Sequence, residues 1–170
     1  MRRYGVVFVL VLLSVAVWAS SASAIKDPQT FSLLEESTPN GDQPLGDFTF
    51  DRPPVGGDRI AFTNALYRWK GTKRGARVGR DQVMITFITG FGRDFSKKAT
   101  ALFSAQVFLP GGTIFAEGYG RVNPNGPSKY TFPILGGTGT YANVRGYVNV
   151  RDLRDDRTNC LLYTSDAADE

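Results

Sequence analysis

Ten residues near the carboxyl end, Ala142 to Arg151, alternate without a break. The even positions are Ala142, Val144, Gly146, Val148 and Val150, and the odd ones Asn143, Arg145, Tyr147, Asn149 and Arg151. A period of two places each set on one face of a strand, whereas a helix would scatter both sets around its axis. The same period runs through "TIFAEGYGRV", where Ile114, Ala116, Gly118, Gly120 and Val122 oppose Thr113, Phe115, Glu117, Tyr119 and Arg121. It runs again through "ATALFSAQVFL", with Ala99, Ala101, Phe103, Ala105, Val107 and Leu109 on one face. "LPGGT" between these two runs reads as a hairpin turn. "QVMITFIT" and "SKYTFPIL" are further β-rich runs, and "TFSLLEE" and "IAFTNALYR" shorter ones. Helical periodicity is nowhere sustained. The chain is therefore read as all-β, and many short strands at close spacing predict an antiparallel barrel or sandwich.

The stretch "ILGGTGTYANVRG" poses a rival reading. Gly137, Gly139 and Ala142 match the G-x-G-x-x-A spacing of a dinucleotide loop. Such a loop needs a helix to open after the glycines, because the phosphate rests on that helix's N-terminus. Here an alternating strand is expected instead, so the glycines are read as a tight link between strands.

Composition narrows the chemistry. There is no histidine, which removes Ser-His-Asp and Cys-His catalysis and histidine metal sites. The single Cys160 supplies neither an internal disulfide nor a thiolate cluster. No metal and no cofactor is expected. The formal net charge is +4, and +2 without Arg2 and Arg3, a weak footing for nucleic-acid binding.

The two ends differ from the middle in style. Residues 1–24, "MRRYGVVFVLVLLSVAVWASSASA", have the basic start, apolar run and small-residue site of a secretory signal peptide, with cleavage expected after Ala24. No second long apolar run follows, so the mature chain is expected to be secreted and free of the membrane. Residues 157–170, "RTNCLLYTSDAADE", resemble translated adapter read-through and are read as a non-native tail. The folded domain is then 25–156. Within it, "STPNGDQPLGDFTFDRPPVGGDR" is expected to be a long surface excursion. "RWKGTKRGARVGR", with six basic residues, is expected to be a solvated loop.

A barrel this small is either filled or holds one small ligand. Periodicity leaves the orientation of the faces open. If the face with Glu117, Tyr119, Arg121, Arg145 and Tyr147 points outward, it is ordinary surface. If it points inward, it lines a polar pocket, and the apolar outside needs covering by oligomerisation.

Several stretches resemble one known superfamily. "ILGGTGTYANVRG" is similar to the G-G-T-G-x-F-x-x-A-R-G motif of plant dirigent proteins, and "VGRDQ", Val78 to Gln82, to their V-G-R-A-Q. "FTNALY", Phe62 to Tyr67, with "KRGARVG" after it, resembles the F-T-N-K-L-Y and K-K-R-V-G stretch of allene oxide cyclases. The likeness runs from about Phe31 to Val150. It implies an eight-stranded antiparallel barrel that assembles as a homotrimer or other homo-oligomer. The family's last strand would lie beyond Asp156, so whether this barrel closes is left open.

The resemblance also implies a pocket inside the strands. The arginine of the glycine motif falls on Arg145, and by parity Asn143 and Tyr147 join it, with Tyr119 on the corresponding face of the preceding run. The first-strand carboxylate falls on Glu35, or on Glu36 if the register slips by one, since a slip exchanges the faces. The cyclases' asparagine falls on Asn64 and their cysteine on Ile85. Dirigent tyrosines are replaced by the run Val83 to Thr86, and the acidic residue after the glycines by Thr140, so neither family's full site is present.

Two activities follow as expectations. A dirigent-type protein would hold phenolic radicals made by an external one-electron oxidase and direct their coupling by orientation alone. Its relatives that close quinone-methide rings would use Glu35 as an acid and Arg145 as a partner for oxygen. An allene oxide cyclase-like isomerase would act on a fatty-acid epoxide, with Glu35 stabilising a cation and Asn64 orienting the epoxide oxygen. A non-catalytic barrel binding a small phenolic or lipid-derived ligand is the third alternative.

Overall fold

The computed structural model describes residues 29–71, 73–93, 95–123, 129–152 and 158–165. Among them the strands in chain order are β1 (Gln29–Ser37), β2 (Gln43–Leu45), β3 (Arg59–Trp69), β4 (Arg74–Phe87) and β5 (Ala99–Leu109). Then follow β6 (Gly112–Val122), β7 (Lys129–Gly137), β8 (Tyr147–Asp152) and β9 (Thr158–Ser165). Their order is β1-β9-β8-β7-β6-β5-β4-β3-β2, and β1 also pairs with β3, so the sheet closes on itself. The paired strands are antiparallel. β2 continues the line of β1 along β3: Ser37 lies opposite Asn64, and Gln43 opposite Ala61. The fold is thus an all-β antiparallel barrel.

The alternation read from sequence decides which side chains enter it. Ala99, Ala101, Phe103 and Val107 of β5, Ile114 and Ala116 of β6, and Val148 of β8 are buried. Phe132 and Ile134 of β7, and Ile60 and Leu66 of β3, join them. The opposite sets face solvent. On the outside of the barrel Ser104 Oγ donates to Glu117 Oε2 at 2.6 Å, and Thr131 Oγ1 pairs with Asn149 Oδ1 at 2.7 Å.

Four stretches depart from expectation. The closing position between β8 and β1 is filled by Thr158–Ser165, part of the stretch expected to lie outside the fold. Strand pairing uses main-chain N–H and C=O groups, which any sequence without proline carries, so style of composition does not bar a segment from a ladder. The expected leader, residues 1–24, lies outside the described residues, as do residues 157 and 166–170.

The alternating run before β8 is a strand only from Tyr147. Ahead of it, Gly139–Tyr141 forms one turn of 3-10 helix. Thr140 N–H donates to Gly111 O, Tyr141 N–H to Thr138 O, and the capping Ala142 N–H to Gly139 O. Gly139 sits at φ 59°, and a Cβ there would meet the Gly111 carbonyl oxygen. The glycine motif therefore locks one end of the barrel to the β5–β6 turn, and a single helical turn and then a strand follow it where a phosphate loop needs a full helix.

The basic stretch is largely strand, the ends of β3 and β4 flanking a short turn. The long excursion after β1 is also pinned. Phe48 is buried in the core, and Arg52 bonds Asp58 through two contacts of 2.5 and 3.0 Å. The Arg52 guanidinium holds the Asp58 carboxyl below the usual range.

Candidate functional site

The barrel interior is unevenly filled. Toward the end where the glycine motif lies, Leu66, Ile114 and Ile134 are buried in the core, and beyond them a wider cavity of about 630 Å³ lies against Phe31, Leu33, Val78, Leu109 and Tyr141. The other half holds a cavity of about 200 Å³. Its walls are mostly apolar, with Val83 and Ile85 of β4, Val107 of β5, and Val148 and Val150 of β8 among them.

One wall is aromatic. Phe103, Tyr130 and Phe132 form a cluster with centroids 4.7 Å (Phe103–Tyr130), 5.1 Å (Phe103–Phe132) and 5.7 Å (Tyr130–Phe132) apart. Two glycines of β6 make room for it. A Cβ at Gly118 would lie 2.6 Å from the Phe132 ring, and one at Gly120 2.4 Å from the Tyr130 ring.

The polar wall lies on the other side, on β1, β3 and β4. In the ring of strands β3 and β7 are diametrically opposed, so Asn64 stands across the barrel from Tyr130 and Phe132. Asn64 and Asp81 are directly opposite each other in the β3–β4 ladder. The Asn64 amide nitrogen donates one hydrogen to Glu35 Oε1 and the other to Asp81 Oδ1, the latter at 2.9 Å. Glu35, Asn64 and Asp81 are all buried, Asp81 completely. Asp81 Oδ2 has no hydrogen-bond partner among the described residues. Burial pushes the Asp81 carboxyl up from 3.8 to about 7, against the hydrogen bonds from Asn64 that favour its charged form. A neutral Asp81 at or below that pH is a proton donor in an apolar chamber.

Glu35, Asn64 and Ile85 thus lie together on the cavity wall. Glu36, the alternative register, lies on the other face and pairs with Arg74 at 3.0 Å. Arg145, Asn143, Tyr119 and Tyr147 do not line the cavity. All four are exposed, Tyr119 and Tyr147 at 69% and 52%. For Tyr119 and Tyr147 the reason is parity, because their even neighbours take the inside. Asn143 and Arg145 precede β8, which begins at Tyr147, and lie on the exposed side with that tyrosine; Arg145 Nη1 donates to the neighbouring Val144 carbonyl at 3.0 Å. The outward orientation holds for the polar faces, and the arginine expected in the pocket is outside it.

Asp81 is the residue that sequence reading missed. Its signal was present twice. It shares parity with Val83 and Ile85, and it stands in "VGRDQ" where the resembling motif has alanine.

A small antiparallel barrel with an interior cavity that is apolar on most sides and acidic on one is the class that fold and site define. Solved structures with this architecture include a pterocarpan synthase dirigent protein, at 15% identity and TM-score 0.58, covering 82% of this chain and 87% of that one. They also include an exo-specific intermolecular Diels–Alderase, at 18% identity and TM-score 0.57, covering 82% and 98%. A pyocyanin demethylase matches at 23% identity and TM-score 0.56, covering 80% and 99%. No family model and no curated protein sequence matches the chain. The likeness is one of fold: this is a barrel of the dirigent and cyclase type.

Proposed function

We propose that the protein is a secreted, stereo-directing barrel that holds one small phenol-sized intermediate and promotes its ring closure by acid assistance. The observation that carries this reading is Asp81 Oδ2, a fully buried carboxyl oxygen without a hydrogen-bond partner among the described residues, on the wall of an apolar cavity. A cavity of about 150 Å³ lined by apolar side chains accommodates benzene. One of about 200 Å³ suits a single substituted ring and is small for two phenylpropanoid radicals at once. The neighbours named for ring-forming reactions, among them a cyclase of [4+2] cycloaddition, support the same reading.

In this mechanism the walls hold a quinone-methide-like substrate in one folded conformation, which selects the face of attack. As the new ring bond forms, Asp81 gives its proton to the carbonyl oxygen. The carboxylate left behind takes the proton that the attacking hydroxyl releases, so the acid is regenerated. Asn64 fixes both carboxyl groups, and Glu35 favours positive character on the ring.

The test is a quinone methide with a pendant hydroxyl, generated in the presence of the protein and analysed by chiral chromatography. An optically enriched cyclic product is expected; a racemate equal to the protein-free control sinks the reading. The second reading, oriented radical coupling with an external one-electron oxidase, is favoured by the dirigent fold neighbour. Enantiomeric excess from a monolignol and an oxidase, with none in the first assay, would choose it.

A further inference from the structure

The ionisable groups lining the cavity have one sign. Glu35 and Asp81 are acids, no Lys or Arg is among the lining residues, and the chain has no histidine. Asn64 does not offset this. Both hydrogens of its amide nitrogen go to the two carboxyl groups, so the atom it has left for a ligand is an oxygen acceptor. Asp81 Oδ2 is a further acceptor once its carboxyl ionises, and it has no partner among the described residues. Opposite this wall stand the faces and edges of Phe103, Tyr130 and Phe132, and aromatic rings attract cations through their quadrupoles.

We infer that the cavity selects positively charged single-ring ligands, such as protonated ring-bearing amines, over neutral or anionic ligands of the same shape. The inference rests on the cavity being the ligand site, as proposed above, and adds a ligand class that meets Asp81 as a carboxylate, distinct from the neutral substrate that meets it as an acid. An ammonium group gives hydrogen bonds to the carboxyl oxygens and supplies the charge that the chamber lacks. A carboxylate in the same place meets two acids and no cationic group among the lining residues, with only neutral hydroxyls such as those of Ser37 and Tyr130 to donate to it. A cation also stabilises the ionised form of Asp81, so its binding displaces the proton that burial keeps there. The groups facing Asp81 are Glu35 from β1, Asn64 from β3 and Val107 from β5. None of these is basic, so no described residue facing Asp81 substitutes for the ligand's charge.

The experiment is titration calorimetry of the purified protein with benzylamine, benzyl alcohol and benzoate, three ligands of nearly one shape and different charge. At pH 6 benzylammonium is expected to bind about tenfold or more tighter than benzyl alcohol, the difference a charge-assisted hydrogen bond makes, and benzoate weakest. Repeating the amine titration in buffers of different ionisation enthalpy is expected to show proton release at pH 6, fading by pH 8. Asp81→Asn is expected to remove that release and most of the preference for the amine over benzyl alcohol. If the variant fails to fold, the charge series and proton release of the unaltered protein decide alone. Benzyl alcohol binding as tightly as the amine overturns the ligand class and leaves the ring-binding site standing. Failure of all three to bind overturns the site as well.

Discussion

Asp81 carries a consequence for stability that can be read without any ligand. Its carboxyl is raised to about 7 in the folded chain, and an unfolded aspartate ionises near 3.8. Between those values the folded state binds more protons than the unfolded one, so stability falls as pH rises through the window. The contribution is fully present below about pH 4 and lost above about pH 7, a loss on the order of a few kcal/mol. Asp81→Asn has no proton to lose there. Urea unfolding at several pH values from 4.5 to 8 is expected to show the unaltered protein losing stability relative to the variant as pH rises. Parallel pH profiles for the two would place Asp81 in water and not in the barrel. At this scale the site was only partly legible. Glu35, Asn64 and Ile85 came from motif position in the resemblance, whereas Asn143 and Tyr147, placed by parity with Arg145, lie outside the cavity. Arg145 failed because it precedes β8, which begins at Tyr147, and lies on the exposed side with that tyrosine. Asp81 was overlooked because an acid flanked by Arg80 and Gln82 reads as surface until the strand's inward set is known.

The elements themselves were more legible, since each inward face is an alternating apolar set. What alternation does not carry is the space between facing strands. Gly118 and Gly120 occupy inward positions of β6 and look like weak points in a strand. In the structure they form the shelf on which Phe132 and Tyr130 rest. A methyl group at either position must push a ring toward the cavity. Gly118→Ala is therefore expected to cost about 1–3 kcal/mol, as overpacked cores do, and to reduce the room for a ring ligand. Thermal unfolding measures the first effect and calorimetry with benzyl alcohol the second. A variant with unchanged stability and unchanged affinity would show that the aromatic wall does not rest on these glycines. The basic stretch illustrates the converse. Its charges suggested a loop, yet they decorate strand ends whose pairing is set by the backbone, with Arg74 stacked 3.8 Å over the Tyr67 ring and Arg80 5.0 Å over Phe108.

At the scale of the whole molecule, two surfaces decide how the barrel behaves in solution. The outer face of the adjacent strands β6, β7 and β8 exposes Tyr119, Leu135 and Tyr147. Exposed apolar groups on neighbouring strands favour association, so we propose a homo-oligomer built on this face. Light scattering is expected to give a mass above one chain, and Tyr119→Glu with Tyr147→Glu to lower it; a monomer in the unaltered protein would refute this. The second surface is the seam. β9 is the strand through which β8 reaches β1, and its removal leaves two unpaired edges, each a template for further strands. Deleting residues 158–170 is expected to turn a dispersed protein into aggregate. What fills the seam is a run of main-chain donors and acceptors, so replacing Thr158–Ser165 with a different alternating strand of equal length is expected to restore dispersion. Sedimentation of the three proteins side by side distinguishes the outcomes. If the deletion stays dispersed and unfolds cooperatively, the barrel does not depend on β9. If the replacement aggregates like the deletion, the particular side chains of β9 hold the seam and the backbone ladder does not suffice.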